Sequence, residues 1–137
     1  MEKKLKHLEF IHNTIDRMST ISFTIKGWCV TLTSVLYTVS KGEKNSILLI
    51  SLLLIFLFWI LDSYFLSQER KYRDLYNDVC KKEESEIDFS MKTEQYANNH
   101  KIYSIFLSQS LLMFYGILSI IFLVITKQIC ILNCLCN

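Results

Sequence analysis

The sequence predicts an all-α integral membrane protein with three transmembrane helices and long cytoplasmic helical extensions, assembled as a homo-oligomeric bundle. Three observations predict it. Residues 47–61, ILLISLLLIFLFWIL, hold one hydroxyl (Ser51) and no charge, inside an apolar stretch over 46–66. That stretch matches the ~20 residues a helix needs to cross a hydrocarbon core ~30 Å thick. A second apolar stretch covers 102–126, and a weaker third covers 21–40. Composition agrees: 51% hydrophobic, 13% aromatic, no proline, and three glycines at Gly27, Gly42 and Gly116. Backbone in lipid must satisfy its own hydrogen bonds, so spans are helices or closed barrels, and nothing here alternates with period two. With no proline to break them, the helices are expected to continue beyond the membrane surface.

Along the chain, 1–20 reads as a cytoplasmic amphipathic helix. Leu5, Leu8, Ile11, Ile15 and Met18 recur every three or four residues, the spacing of one helix face. No breaker separates it from the first span, so one helix from about 3 to 40 is expected. Charges of both signs in these residues, with no short apolar core and cleavage site after them, argue against a signal peptide. The segment KGEKN (41–45) is a short outer turn with Gly42 as its turn residue. The second span, 46–66, leads into the cytoplasmic helix and connector of 67–101. There Phe65, Tyr72, Leu75, Tyr76 and Val79 repeat the helical spacing, and Glu69 precedes Arg73 by four residues in the favourable order. The two cytoplasmic extensions are expected to pack antiparallel as a stalk. The connector 83–100 reads as irregular, with one short helix near 93–98. The third span is 102–126, and 127–137 is an exoplasmic tail.

Orientation follows from the Lys and Arg excess on cytoplasmic segments. Lys3, Lys4, Lys6 and Arg17 share a side with Arg70, Lys71, Arg73, Lys81, Lys82, Lys92 and Lys101. Only Lys41, Lys44 and Lys127 lie on the other. The expected topology is therefore multi-pass, with the N-terminus inside and the C-terminus outside. Acidic residues balance the inner side, so bulk attraction for nucleic acid is not implied.

The first span is unusually polar. At about 100° per residue, Thr24, Gly27, Thr31, Ser34 and Thr38 form one stripe, and Ser22, Lys26, Cys29, Thr33, Tyr37 and Ser40 form another nearly opposite. Ile25, Trp28, Leu32, Val35 and Leu36 are left as the lipid-facing arc. Small and hydroxylated residues permit close helix approach, so stripe composition alone favours a helix packed at the centre of a bundle. The other reading is an aqueous path in an oligomer, lined by residues such as Thr31 and Thr33. A monomer would leave hydroxyls facing hydrocarbon; a symmetric homo-oligomer is expected, a tetramer favoured, with this span nearest the axis. Lys26 and Asp62 are the ionisable residues within spans, and each lies ~8 Å from the inner surface at 1.5 Å per residue. An ion pair is available to them, as a structural lock in the favoured reading or as a gate in the other.

Chemistry of other kinds has little support, and no enzyme, cofactor or metal is implied. Of the five cysteines, Cys29, Cys80, Cys130, Cys134 and Cys136, the last three lack paired zinc-site spacing and read as inert membrane-end thiols ahead of acylated or disulfide-bonded ones. His7, His12 and His100 show no ligand spacing and are expected to be solvated. No phosphate-cradling glycine loop or nucleophile elbow is present. The basic run at 69–73 ordinarily fixes topology and touches anionic headgroups. In an oligomeric ring, Arg70, Lys71 and Arg73, interleaved with Tyr72 and Tyr76, could also hold an anionic ligand by charge and stacking.

Three segments carry a resemblance: ISFTIKGWCVTLTSVLY (21–37), FWILDSYFLSQERKYRDLYNDV (58–79) and IDFSM (87–91). They resemble small multi-span bacterial inner-membrane proteins with a K-G-W-x-V-T-L first span and an F-W-x-L-D-x-Y-F-L-x-Q-E-R-x-Y-R-x-L-Y second-span exit. Such proteins are similar to the membrane effectors of anti-phage defence systems of the Hailong type. The resemblance implies an oligomeric channel held closed by a nucleotide or single-stranded DNA ligand made by a partner nucleotidyltransferase. Lys26, Asp62, Arg70 and Arg73 fall on the motif, which implies a gate or ligand site for them. The cysteine tail matches no part of it. Two functions of different class are thus expected: a pore-forming effector, or a membrane anchor or adaptor that positions a soluble partner.

Overall fold

The computed structural model describes the backbone of residues 2–39 and 44–135, and side chains in that range except at 44, 45, 47, 126 and 128–135. Among the described residues the chain is all helical. α1 (Glu2–Val39) and α2 (Lys44–Lys81) are unbroken helices of 38 residues each. Two 3₁₀ turns follow at Glu84–Glu86 and Glu94–Tyr96, then α3 (Ile102–Phe106) and α4 (Gln109–Leu135). The expected turn at Gly42 and the thiols of Cys130, Cys134 and Cys136 lie outside the described residues.

α1 packs antiparallel along α2, because one face of α1 is buried from end to end. His7, Ile11, Ile15, Ser22, Ile25, Cys29 and Thr33 occupy it, at spacings that are multiples of about 3.6. The seam holds two cores. In the first, Ile11 and Ile15 pack against Leu75 and Val79, with Tyr96 of the connector closing the side. In the second, Cys29 and Ile55 pack with Ile105, Leu111 and Tyr115 from α3 and α4. Ile25, expected among the lipid-facing residues, is buried in this seam instead, while Trp28 and Val35 do face outward.

The connector is held by polar contacts rather than by its own helices. Lys4 Nζ donates to the carbonyls of Cys80 and Lys82 at 2.8 and 2.9 Å, so a cation from α1 completes the C-terminal end of α2. Phe89 adopts a left-handed backbone (φ 54°), and Asp88 Oδ1 accepts the Ser90 N–H beside it at 3.2 Å. That hydrogen bond holds the exposed Asp88 carboxyl below its usual range.

The third apolar stretch corrects the sequence expectation. It is two helices, not one: α3 stops at Phe106, and Leu107 takes a non-helical conformation (φ −90°, ψ 12°) before α4 begins. The Trp59 indole N–H donates to the Phe106 carbonyl at 3.1 Å, so the break is stabilised by a residue distant in sequence. α4 then continues through Leu135, well into what reads as a tail.

α2 is the one helix among the described residues long and apolar enough to cross a membrane, from Leu48 onward. The apolar part of α4, Gln109–Ile125, is shorter. Large side chains turn outward along all three long helices, among them Phe23, Trp28, Leu53, Phe56, Met113 and Ile120. An apolar surface of that extent marks contact with lipid or with other protein.

Candidate functional site

Asp62 sits near the middle of α2 with no solvent exposure. A buried carboxylate is costly unless neutralised and hydrogen-bonded, and two other helices, α1 and α4, supply what it needs. From α1, Ser22 Oγ donates to Asp62 Oδ1. One turn on, Lys26 Nζ lies 2.5 Å from Asp62 Oδ2 and donates to Ser22 Oγ at 2.8 Å. From α4, the Tyr115 hydroxyl is 3.1 Å from Asp62 Oδ2 and 3.3 Å from the Phe58 carbonyl. Lys26 keeps 22% of its side chain exposed and lies 6.0 Å from the centre of the Phe114 ring, within cation–π range. The node is neutral and saturated, and it ties α1, α2 and α4 together at one level. Among the described residues no His, Cys, Asp and Glu cluster could hold a metal.

Equal depth in the membrane pointed to Lys26 and Asp62, and the two side chains meet. Tyr115 was missed. Its signal was a phenol within the apolar run of α4, which needs a polar partner when buried.

The two polar stripes of α1 have separate fates. Ser22, Lys26, Cys29, Thr33 and Tyr37 turn inward toward α2 and α4, each buried or half-buried. Thr24, Gly27, Thr31, Ser34 and Thr38 are all exposed on the opposite side. The outward hydroxyls bond to their own helix: Thr31 to the Gly27 carbonyl at 2.9 Å, Ser34 to the Val30 carbonyl at 2.8 Å. A Cβ added at Gly27 would meet nothing within 4 Å. Lys26, Thr33 and Asp62 therefore lie inside the chain's own helix packing and Thr31 on its surface, so the four do not line one path within a single chain.

The basic run is also divided. Arg73 is engaged with Glu69, whose Oε1 accepts from Arg73 Nε at 2.9 Å and from Nη2 at 2.8 Å. Arg70 is half-buried beside it, and Lys71 borders a groove shared with Lys101. Tyr72 and Tyr76 pack against the stalk core, so they do not form an open stacking platform with the arginines.

Two histidines expected in solvent are not there. His7 is 1% exposed, with Nε2 donating to the Ser90 carbonyl at 3.2 Å, and its Nδ1 has no hydrogen-bond partner among the described residues. His100 Nε2 lies 2.7 Å from Asp74 Oδ2. The connector folds back over His7 and sets its own half-buried His100 against α2, which spacing along the chain could not reveal. His12 is exposed beside Asp16, as expected. Cys29 and Cys80 are free thiols. No protein-family profile matches this chain, and no curated protein or solved structure matches it significantly.

Proposed function

We propose that the chain is the protomer of a homo-oligomeric pore in the bacterial cytoplasmic membrane, acting as an effector of anti-phage defence. Each protomer crosses three times, with α1, α2 and α4 as spans and the stalk inside the cell. Copies meet on the outward stripe of α1 around a shared axis, in a tetramer. Gating is set from the cytoplasm by an anionic ligand, a nucleotide or single-stranded DNA, made by a partner nucleotidyltransferase.

One observation carries the reading. The protomer uses one polar stripe of α1 for its own node and leaves the other, with an open face at Gly27, turned away from every other helix of the chain. Glycine in a helix interior costs about 1 kcal/mol relative to alanine, and nothing within the protomer needs the space it leaves. Close approach by a second helix does.

The experiment is ion flux from proteoliposomes combined with particle mass in detergent. Gly27→Leu fits the isolated protomer and should lower the order of assembly. Thr31→Trp should reduce flux on the order of tenfold by narrowing the lining, whereas Leu53→Trp on the exposed face of α2 should not. Monomeric particles and no flux from the parent protein would put the membrane-anchor reading in its place.

A further inference from the structure

A groove of about 760 Å³ runs between α2 and the segment 97–107, bordered by Ile60 and Lys71 on one wall and by Lys101, Ile102, Phe106 and Leu107 on the other. Ile60 and Lys71 lie on one face of α2, about three turns and ~16 Å apart. The apolar run of α2 ends near Leu66, so Ile60 stands at hydrocarbon depth and Lys71 at the level of the headgroups. The groove is thus cationic at its headgroup end and apolar along its floor. Neither lysine has a carboxylate partner among the described residues. Lys101 Nζ lies 6.0 Å from the centre of the Tyr103 ring, which braces its stem beside the opening. His100 also lines the groove, but its Nε2 is engaged with Asp74.

We propose that this groove holds an anionic phospholipid of the cytoplasmic leaflet. Lys71 and Lys101 take the phosphate, and one acyl chain lies over Ile60, Ile102, Phe106 and Leu107. The two ends match the two halves of such a lipid in chemistry and in order of depth. A soluble phosphate compound would leave the apolar two-thirds of the groove unfilled, and a neutral lipid would leave two lysines facing a headgroup without net charge. The inference rests on α2 spanning the membrane, and is independent of whether the assembled protein conducts ions.

Trp59 reports on the site, because its ring stacks on Phe106 at the groove floor. The test uses full-length protein carrying Trp28→Phe, reconstituted into vesicles in which acyl-brominated phosphatidylglycerol or acyl-brominated phosphatidylcholine replaces a small fraction of lipid. Trp59 emission should be quenched at a mole fraction of phosphatidylglycerol on the order of tenfold lower than of phosphatidylcholine, as two lysines near the surface would give. Adding Lys71→Gln and Lys101→Gln should erase that preference and leave quenching by phosphatidylcholine as it was. Equal quenching by the two lipids in the parent, or a preference that survives both substitutions, would overturn the lipid site alone. Relief of quenching by millimolar glycerol phosphate would assign the lysines to a soluble ligand and overturn it as well. No quenching by either lipid would overturn the site together with the membrane-spanning reading of α2.

Discussion

Trp59 and Phe106 meet twice: their rings stack 4.3 Å apart at an angle of 11°, and the Trp59 indole donates to the Phe106 carbonyl. Tyr115 stacks on Trp59 in turn, at 5.7 Å and 8°, and reaches Asp62 through its hydroxyl. A ladder of three aromatic rings thus links the break in the third apolar stretch to the ionic node in the seam. Such contacts contribute beyond the area they bury.

Trp59→Phe keeps an aromatic ring in the ladder and removes the N–H. It should destabilise the detergent-solubilised protein by about 1 kcal/mol, the net worth of one hydrogen bond. Hydrogen exchange should rise at 106–112 and leave the stalk unchanged. Exchange that is unaltered around the break would mean that the indole does not hold it.

Much of the fold was legible because it rests on local pattern. The absence of proline and the three-and-four spacing of Ile11, Ile15, Leu75 and Val79 foretold two long helices that continue past the apolar stretches and pair as a stalk. The approach of Lys26 to Asp62 followed from counting depth along antiparallel helices. The break at Leu107 was marked in the sequence only by the short polar run Ser108, Gln109 and Ser110, and its stabilising donor is on another helix. Burial of His7 and Ile25 was likewise decided by partners. His7 is covered by a connector whose path depends on a left-handed Phe89, and Ile25 shares a face with the buried Cys29.

The Lys26–Asp62 pair should behave asymmetrically. Lys26→Met or Asp62→Asn alone leaves a charge in a desolvated site and should cost about 3–5 kcal/mol. The double variant removes both charges and should recover most of that loss, as should the exchange Lys26→Asp with Asp62→Lys in part. Thermal unfolding in one detergent, completed as a double-mutant cycle, measures the coupling. Additive single effects would show that the charges do not sense each other.

Tyr96 gives the stalk an alkaline limit. Burial, reinforced by the hydrogen bond from its hydroxyl to Asp78 Oδ2, pushes the phenol from its ordinary value near 10 up to about 12. A folded pKa above the unfolded one means that folding favours the neutral phenol. The stabilisation is complete below about pH 10 and is lost as pH rises toward 12. Unfolding of the stalk should therefore set in over that window, with tyrosinate absorbance appearing together with loss of helix. Tyr96→Phe should lower stability at neutral pH and flatten the alkaline dependence.

Arg70 and Arg73 should separate when substituted singly, because only Arg73 is paired with a carboxylate among the described residues. Glu69 is 8% exposed, and its Oε1 accepts from both Nε and Nη2 of Arg73. Arg73→Ala leaves that carboxylate buried without its partner and should cost about 1–3 kcal/mol, recovered when Glu69→Gln is added. Arg70→Ala removes a half-buried stem but strands no buried carboxylate, and should cost less than Arg73→Ala. If Arg70 meets the anionic ligand that sets the gate, that stable variant should nonetheless change membrane potential in cells. In a pore closed by its ligand it would depolarise them without infection, and in one opened by its ligand it would stay silent when triggered. A cell in which Arg70→Ala behaves as the parent in both states removes Arg70 from the ligand site and turns attention to the anchor function of the stalk.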